Sequence, residues 1–163
     1  MKTIIGVMGG GVADDSTLGV AYELGRLIAE EDWVLLNGGR DAGVMRASAA
    51  GASEAGGLVV GVLPDESATL IAPGVDIPIY TGMGEARNVI NVLSSRVVIA
   101  LRGGAGTVSE IAHALKLGRT VVVIDFDTCD LFHTYHESGS FIEVDTAGEA
   151  IATVKRALSA GHA

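Results

Sequence analysis

A single α/β domain, with a mostly parallel sheet and helices on both faces, is predicted by three features of the sequence. Short apolar runs alternate with stretches of helical periodicity, the pattern left by repeated βαβ units. Aromatic residues make up only 4% of a chain that is 48% hydrophobic, so Val, Ile, Leu and Ala must fill the core, as they do in a sheet covered on both sides. The 163 residues fit one domain, 1–163, long enough to bury roughly two-thirds of the unfolded surface in one core.

The elements follow in order. Residues 3–8 form the first strand, and after a glycine loop Asp15 or Ser16 caps a helix in which Leu18, Tyr22, Leu24, Leu27 and Ile28 recur at helical spacing. The second strand, 33–36, runs into Asn37, Gly38 and Gly39, and an Ala-rich helix spans about 43–55. Residues 58–63 make a third strand stopped by Pro64; 65–74 read as a loop, 77–81 as a short strand and 85–93 as a helix. The runs 96–101 and 120–125 are almost unbroken apolar stretches and belong at the centre of the sheet, with a helix over 107–117 between them. A polar loop, 127–140, a last strand, 141–144, and a helix, 147–159, close the domain, which is Rossmann-like in pattern.

A formal charge of −9 disfavours nucleic acid and anionic membrane surfaces as partners, because both would be repelled. A small phosphate needs only a few local donors, and Arg40, Arg87 and Arg102 fall beside predicted strand ends. Cys129 is the only cysteine, so no intrachain disulfide forms. The first apolar run is broken at Gly9, Gly10 and Gly11, too early for a signal peptide, which leads to the expectation of a cytoplasmic protein without a membrane partner.

Ligands of open parallel sheets gather at the carboxyl ends of the strands. Three glycine clusters fall there: 9–11, 38–39, and Gly103, Gly104 and Gly106. In the third, a strand, a three-glycine loop and a helix start at Thr107 succeed one another directly, so backbone amides and the helix dipole converge on a volume suited to an anion. A simple tight turn is the alternative, although one glycine would serve for that. The first cluster has Asp14 where a dinucleotide fingerprint needs its third glycine, and Asn37 replaces the acid that would hold a ribose diol, so NAD binding is disfavoured. No glycine loop carries the Lys and Ser/Thr of a nucleotide triphosphatase.

Glu110 lies one helical turn beyond Thr107, where it either acts on a ligand's sugar or caps the first turn. Arg87 either clamps a phosphate or carboxylate, or is a surface arginine. Cys129, His133, His136 and Glu137 are metal-ligand types without metal-site spacing, so no metal is expected, and His113 belongs to a helix flank.

The stretch Arg102-Gly103-Gly104-Ala105-Gly106-Thr107-Val108-Ser109-Glu110 resembles the PGGxGTxxE loop of the LOG family, long labelled lysine decarboxylases, which includes cytokinin-activating phosphoribohydrolases. Gly38, Gly39 and the run Gly43-Val44-Met45-Arg46 are similar to a second family feature, a glycine pair followed by GLMG, and the resemblance extends from the first strand to at least Asp125. It implies a Rossmann-like fold, a homodimer with the helices at 43 and 85 as interface candidates, and cleavage of the N-glycosidic bond of nucleoside 5′-monophosphates. Glu110 matches the family's catalytic glutamate, and Arg87 the arginine of its MHERK motif. Arg102 stands in place of the usual proline and Ser109 in place of a glutamate, departures that resemble the molybdenum-cofactor carrier branch and imply a bound pterin phosphate instead of hydrolysis. A nucleotide-sensing regulatory protein is a third reading. The lysines, Lys2, Lys116 and Lys155, match no pyridoxal phosphate site. The expected ligand, a nucleoside monophosphate or a pterin phosphate with no required cofactor, would meet Gly9, Gly10, Gly11, Gly38, Gly39, Arg40, Gly43, Met83, Arg102, Gly103, Gly104, Gly106 and Thr107, beside Glu110 and Arg87.

Overall fold

The computed structural model describes residues 1–67 and 70–161; residues 68 and 69 of the predicted loop, and 162 and 163 at the end of the predicted domain, lie outside the described residues. Seven strands, β1 (Ile4–Met8), β2 (Val34–Asn37), β3 (Leu58–Leu63), β4 (Ile77–Tyr80), β5 (Val97–Leu101), β6 (Thr120–Ile124) and β7 (Phe141–Val144), form one sheet in the order β4-β3-β2-β1-β5-β6-β7. All six pairings are parallel. The order reverses at β1, which has β2 on one side and β5 on the other, and this places a ligand crevice at the ends of those three strands.

Alternation along the strands fills two cores. Val97, Ile99 and Leu101 face one side with Ile5 and Val7, under α1 (Asp15–Glu30), α2 (Gly43–Glu54) and α6 (Ala147–Ser159). Val98 and Ala100 face the other with Met8, under α3 (Asn88–Ser94) and α4 (Ala105–Lys116). The helices α1 and α2 meet at glycine: a Cβ on Gly25 would come within 2.8 Å of the Ala52 nitrogen, and one on Gly51 within 2.8 Å of the Tyr22 carbonyl carbon. Backbone therefore packs against backbone at this crossing, which the Ala- and Gly-rich sequence of α2 permits.

The structure refines several expected elements. Asp14, not Asp15 or Ser16, caps α1, its carboxylate accepting from Thr17 N at 2.8 Å. Tyr22 lies on the exposed face of α1 and donates to Glu54 Oε2 at 2.6 Å, while Ala21 and Gly25 line the buried face. The helix expected over 85–93 is a 3₁₀ turn, Gly84–Arg87, continued by α3, and α4 begins two residues earlier than Thr107 with Gly104 as N-cap. The loop expected over 127–140 contains a short helix, α5 (His133–Glu137), anchored by Phe132 against Phe141 at 5.5 Å between ring centres. In the loop after β3, Ile71 makes an isolated antiparallel bridge with Arg40. No helix among the described residues is long and apolar enough to cross a membrane.

Candidate functional site

The carboxyl ends of β1, β2 and β5 open onto a cleft of about 330 Å³, lined by Gly9, Gly10, Gly11, Gly38, Arg40, Arg87, Gly104, Gly106, Thr107 and Glu110 among the expected residues. The loops are joined through backbone: Gly10 N–H donates to Arg102 O at 3.1 Å, and Gly10 O accepts from Val44 N at 3.0 Å. A side chain on Gly10 would press within 2.7 Å of Val12 O in its own loop and within 3.4 Å of Arg102 O and Gly103 Cα in the next, so the fit of these two loops is helped by its absence.

The glycines of the β5–α4 junction have different reasons. Gly103 carries no side chain because a Cβ would collide with the buried Thr107 hydroxyl. Gly104 has nothing within 4 Å of the place of its Cβ, and Gly106 meets only Asn88 and Glu85, each at 3.8 Å. The fold therefore has room for side chains at both positions, and their smallness keeps the cleft open. The first amides of α4 have no acceptor within the helix, and a small anion in the cleft can reach them.

Two buried ionisable groups from different elements flank the opening. Arg87, at the junction of the 3₁₀ turn and α3, is 8% exposed, and a Cβ on Gly38 would come within 2.7 Å of its Nη2. Burial holds the guanidinium below its ordinary pKa, an effect opposed by the negative charge of Glu110 and Glu85. Glu110 on α4 is buried, and burial pushes its carboxyl up to about 7, against the lowering effects of a 2.9 Å hydrogen bond from Asn91 Nδ2 and of the Arg87 charge. Glu110 lies beyond the first turn of α4 and its carboxylate accepts from α3, so it does not cap its own helix. Arg40, partly exposed, is ion-paired with Asp65 at 2.9 Å.

Five expected ligand residues do not line the cleft. Gly39, at φ +72°, packs on the Gly61 backbone, and Gly43, at φ +46°, has no room for a side chain beside Gly10 O; both shape the loops from behind. Gly103 packs on Thr107, as above. Met83 is 52% exposed at the start of the 3₁₀ turn, and Arg102 points out towards Asp125 at 3.7 Å. Conversely Met45, Glu85 and Asn88 line the cleft without having been singled out, and Asn91 holds Glu110 from below. Arg87, Asn88 and Asn91 share one helical face by spacing, a periodicity that could have found the last two.

The metal-ligand types Cys129, His133 and His136 line a second cavity of about 320 Å³ with Glu143, apart from the cleft. Among the described residues no group of three or more His, Cys, Asp or Glu has the arrangement to hold a metal ion. His113 is tied to its own helix, Nδ1 lying 2.7 Å from Ser109 O.

A doubly wound parallel sheet with a glycine-lined cleft at its switch point defines a Rossmann-like fold, and the chain belongs to the SLOG cluster4 family, which it matches over residues 2–151. It is similar to the molybdenum cofactor binding protein of Rippkaea orientalis, with a TM-score of 0.91 and 43% identity over 97% of this chain and 98% of that one. It is also similar to the molybdenum cofactor carrier protein of Chlamydomonas reinhardtii, with a TM-score of 0.89 and 42% identity over 98% and 99% of the two chains. An uncharacterized protein of Archaeoglobus fulgidus is 54% identical over 117 residues, 72% of this chain and 76% of that protein.

Proposed function

We propose that this protein binds and carries a phosphorylated pterin, the molybdenum cofactor, in the cytoplasm and does not hydrolyse nucleotides. The observation that carries the reading is the end-to-end likeness, above 40% identity, to two proteins described as binding or carrying that cofactor. The cleft fits such a ligand: helix-start amides and a buried arginine suit a phosphate-bearing molecule, and the open glycine floor admits a flat ring system. The phosphoribohydrolase reading rests on the resemblance of the 102–110 loop and on Glu110 and Arg87, whereas the two structural relatives named above are described as binding or carrying the cofactor.

The residues have separable tasks in a carrier. The Gly104–Thr107 amides hold the phosphate, Gly9–Gly11 and Gly38 let the ligand lie against backbone, and Glu110 and Arg87 close the cleft from the side of α3 and α4. A homodimer agrees with the exposed Ile77 and Ile79 on one face of the edge strand β4, apolar groups outside the helices at 43 and 85 expected at the interface, which a second copy would cover; light scattering at micromolar concentration checks it.

The test is purification from a host that makes the cofactor. Molybdenum by mass spectrometry and pterin by fluorescence of its oxidised form are expected together in the protein peak, with base released from no nucleoside 5′-monophosphate. Protein free of pterin that releases base from a nucleotide would overturn the carrier reading.

A further inference from the structure

Arg87 and Glu110 face the same cleft with opposite charges and do not meet. Both side chains line it, and each residue is more than nine-tenths buried. Glu110 acts on Arg87 more strongly than any other charge. Yet among the described residues Arg87 forms no ion pair, so none of its nitrogens comes within 4.0 Å of a Glu110 oxygen; the neighbouring Arg40 takes Asp65 instead. Arg87 Nε has no hydrogen-bond partner, and Asn91 Nδ2 uses only one of about four lone-pair positions of the Glu110 carboxylate. A buried guanidinium and a buried carboxyl left apart are costly unless a polar group lying between them bonds to both.

The group that suits such a gap carries an acceptor beside donors. An anion alone would satisfy Arg87 and be repelled by ionised Glu110, and a cation alone would do the reverse. The pyrimidine edge of a pterin offers both in one row: a ring carbonyl oxygen, then a ring N–H, then an exocyclic amino group. A guanidinium donates to the carbonyl, and a carboxylate accepts from the two nitrogens. Those two donors would favour the ionised carboxylate that burial opposes.

The placement agrees. Arg87 lies against Gly38 at the end of β2, whereas the α4 amides follow β5. These strands flank β1 on opposite sides, so the two are separated by two strand spacings, about 10 Å. Glu110 lies more than one turn down α4 from the same amides. In a pterin phosphate the carbonyl and amino edge is at the end of the fused rings away from the phosphate. A ring system lying over Gly9, Gly10 and Gly11 therefore brings its phosphate to α4 and its polar edge to Arg87 and Glu110.

We infer that Arg87 and Glu110 together recognise the pyrimidine edge of the bound ring, Arg87 donating to its carbonyl and Glu110 accepting from its ring N–H and amino group. The assignment rests on the pterin reading above, and it gives both residues a recognition task in place of the catalytic one that the family resemblance implies.

The test is fluorescence titration with hydroxymethylpterin phosphate, with hydroxymethyl-lumazine phosphate, in which a carbonyl replaces the amino group, and with hydroxymethylpterin lacking phosphate. Wild type is expected to bind the pterin phosphate about tenfold or more tightly than the lumazine, because the extra carbonyl turns an acceptor towards Glu110. Glu110→Gln should abolish that preference. Arg87→Gln should weaken pterin by the same factor with and without phosphate, whereas Gly104→Val should weaken only the phosphorylated probes. A wild type without the preference, a preference unaltered in Glu110→Gln, or an Arg87→Gln loss confined to phosphorylated probes overturns the assignment and leaves a pterin carrier standing. A wild type that takes neither phosphorylated pteridine also overturns it; the carrier reading falls with it if the protein purifies without pterin and stands if pterin copurifies. Should either Gln variant not fold, Glu110→Asp or Arg87→Lys decides by the same criteria, with effects of severalfold supporting the assignment and unaltered binding overturning it.

Discussion

Asn91 Nδ2 donates a 2.9 Å hydrogen bond to Glu110 Oε1 where both side chains are buried, joining α3 to α4 beneath the cleft. Among the described residues Asn91 Oδ1 has no hydrogen-bond partner, so the amide serves to hold the carboxylate. Replacing it by Ala should cost about 1–3 kcal/mol, since a buried acceptor loses its donor. The hydrogen bond favours the ionised carboxyl, so Asn91→Ala should also push Glu110 further above 7. Urea denaturation should show a larger loss at pH 8 than at pH 5; an equal loss at both would contradict a bond to the carboxylate.

The upward shift of Glu110 has a defined sign in stability. Its pKa is about 7 in the folded chain against an ordinary 4.5, so the folded state holds the proton more tightly between those values. Stability should therefore fall as pH rises from about 4.5 to 7 and level off above, by an amount on the order of 3 kcal/mol. In Glu110→Gln this part of the pH profile should be flat, and the variant should be as stable as wild type or more so at pH 8. A profile unchanged by the substitution would show that Glu110 does not titrate in this range.

Anion binding should follow the same proton. Ionised Glu110 repels an anion in the cleft, so sulfate, whose charge is constant over the range, should bind severalfold more weakly at pH 8 than at pH 6. Calorimetry on wild type and Glu110→Gln separates this from other titrations, because only the wild type should show the dependence.

The glycines divide into two classes that one experiment can separate. Gly25→Ala forces a methyl into the Ser48 and Ala52 backbone and should destabilise by about 1–3 kcal/mol without altering the cleft. Gly104→Ala meets nothing in the protein, so its melting temperature should stay near wild type while sulfate affinity falls. A Gly104→Ala that melts early with normal binding would reverse the assignment.

Much of the fold was legible because parallel strands buried on both faces are near-continuous apolar runs, as in β5 and β6. The glycine junction at 103–107 was legible by the same local logic, and Arg87 and Glu110, both singled out in the sequence, reach one cleft. What sequence missed depends on distance in space. The helix α5 is only five residues, held by Phe132 on Phe141, and its polar sequence carries no periodic stripe. Asn91 reads as an ordinary helical residue until α4 brings Glu110 to it. Gly39 and Gly103 resemble ligand glycines, yet each is small because another part of the protein lies against it, a reason invisible before the loops are assembled.

The bond from Gly10 N–H to Arg102 O, with the parallel pairing of β1 and β5, joins parts of the chain that lie far apart in sequence. The first four strands can pair among themselves as they leave the ribosome, but β1 keeps one open edge until residues 97–101 arrive to fill it. Closing so long a loop is slow, because its entropy must be lost before any contact rewards it. The cleft therefore comes into being at a late step of folding, and a half-made chain lacks it. Once the cleft is formed, a ligand seated across the ends of β2, β1 and β5 bridges early- and late-arriving segments, so loading should slow the unfolding of the whole domain and protect amides far from the cleft from hydrogen exchange.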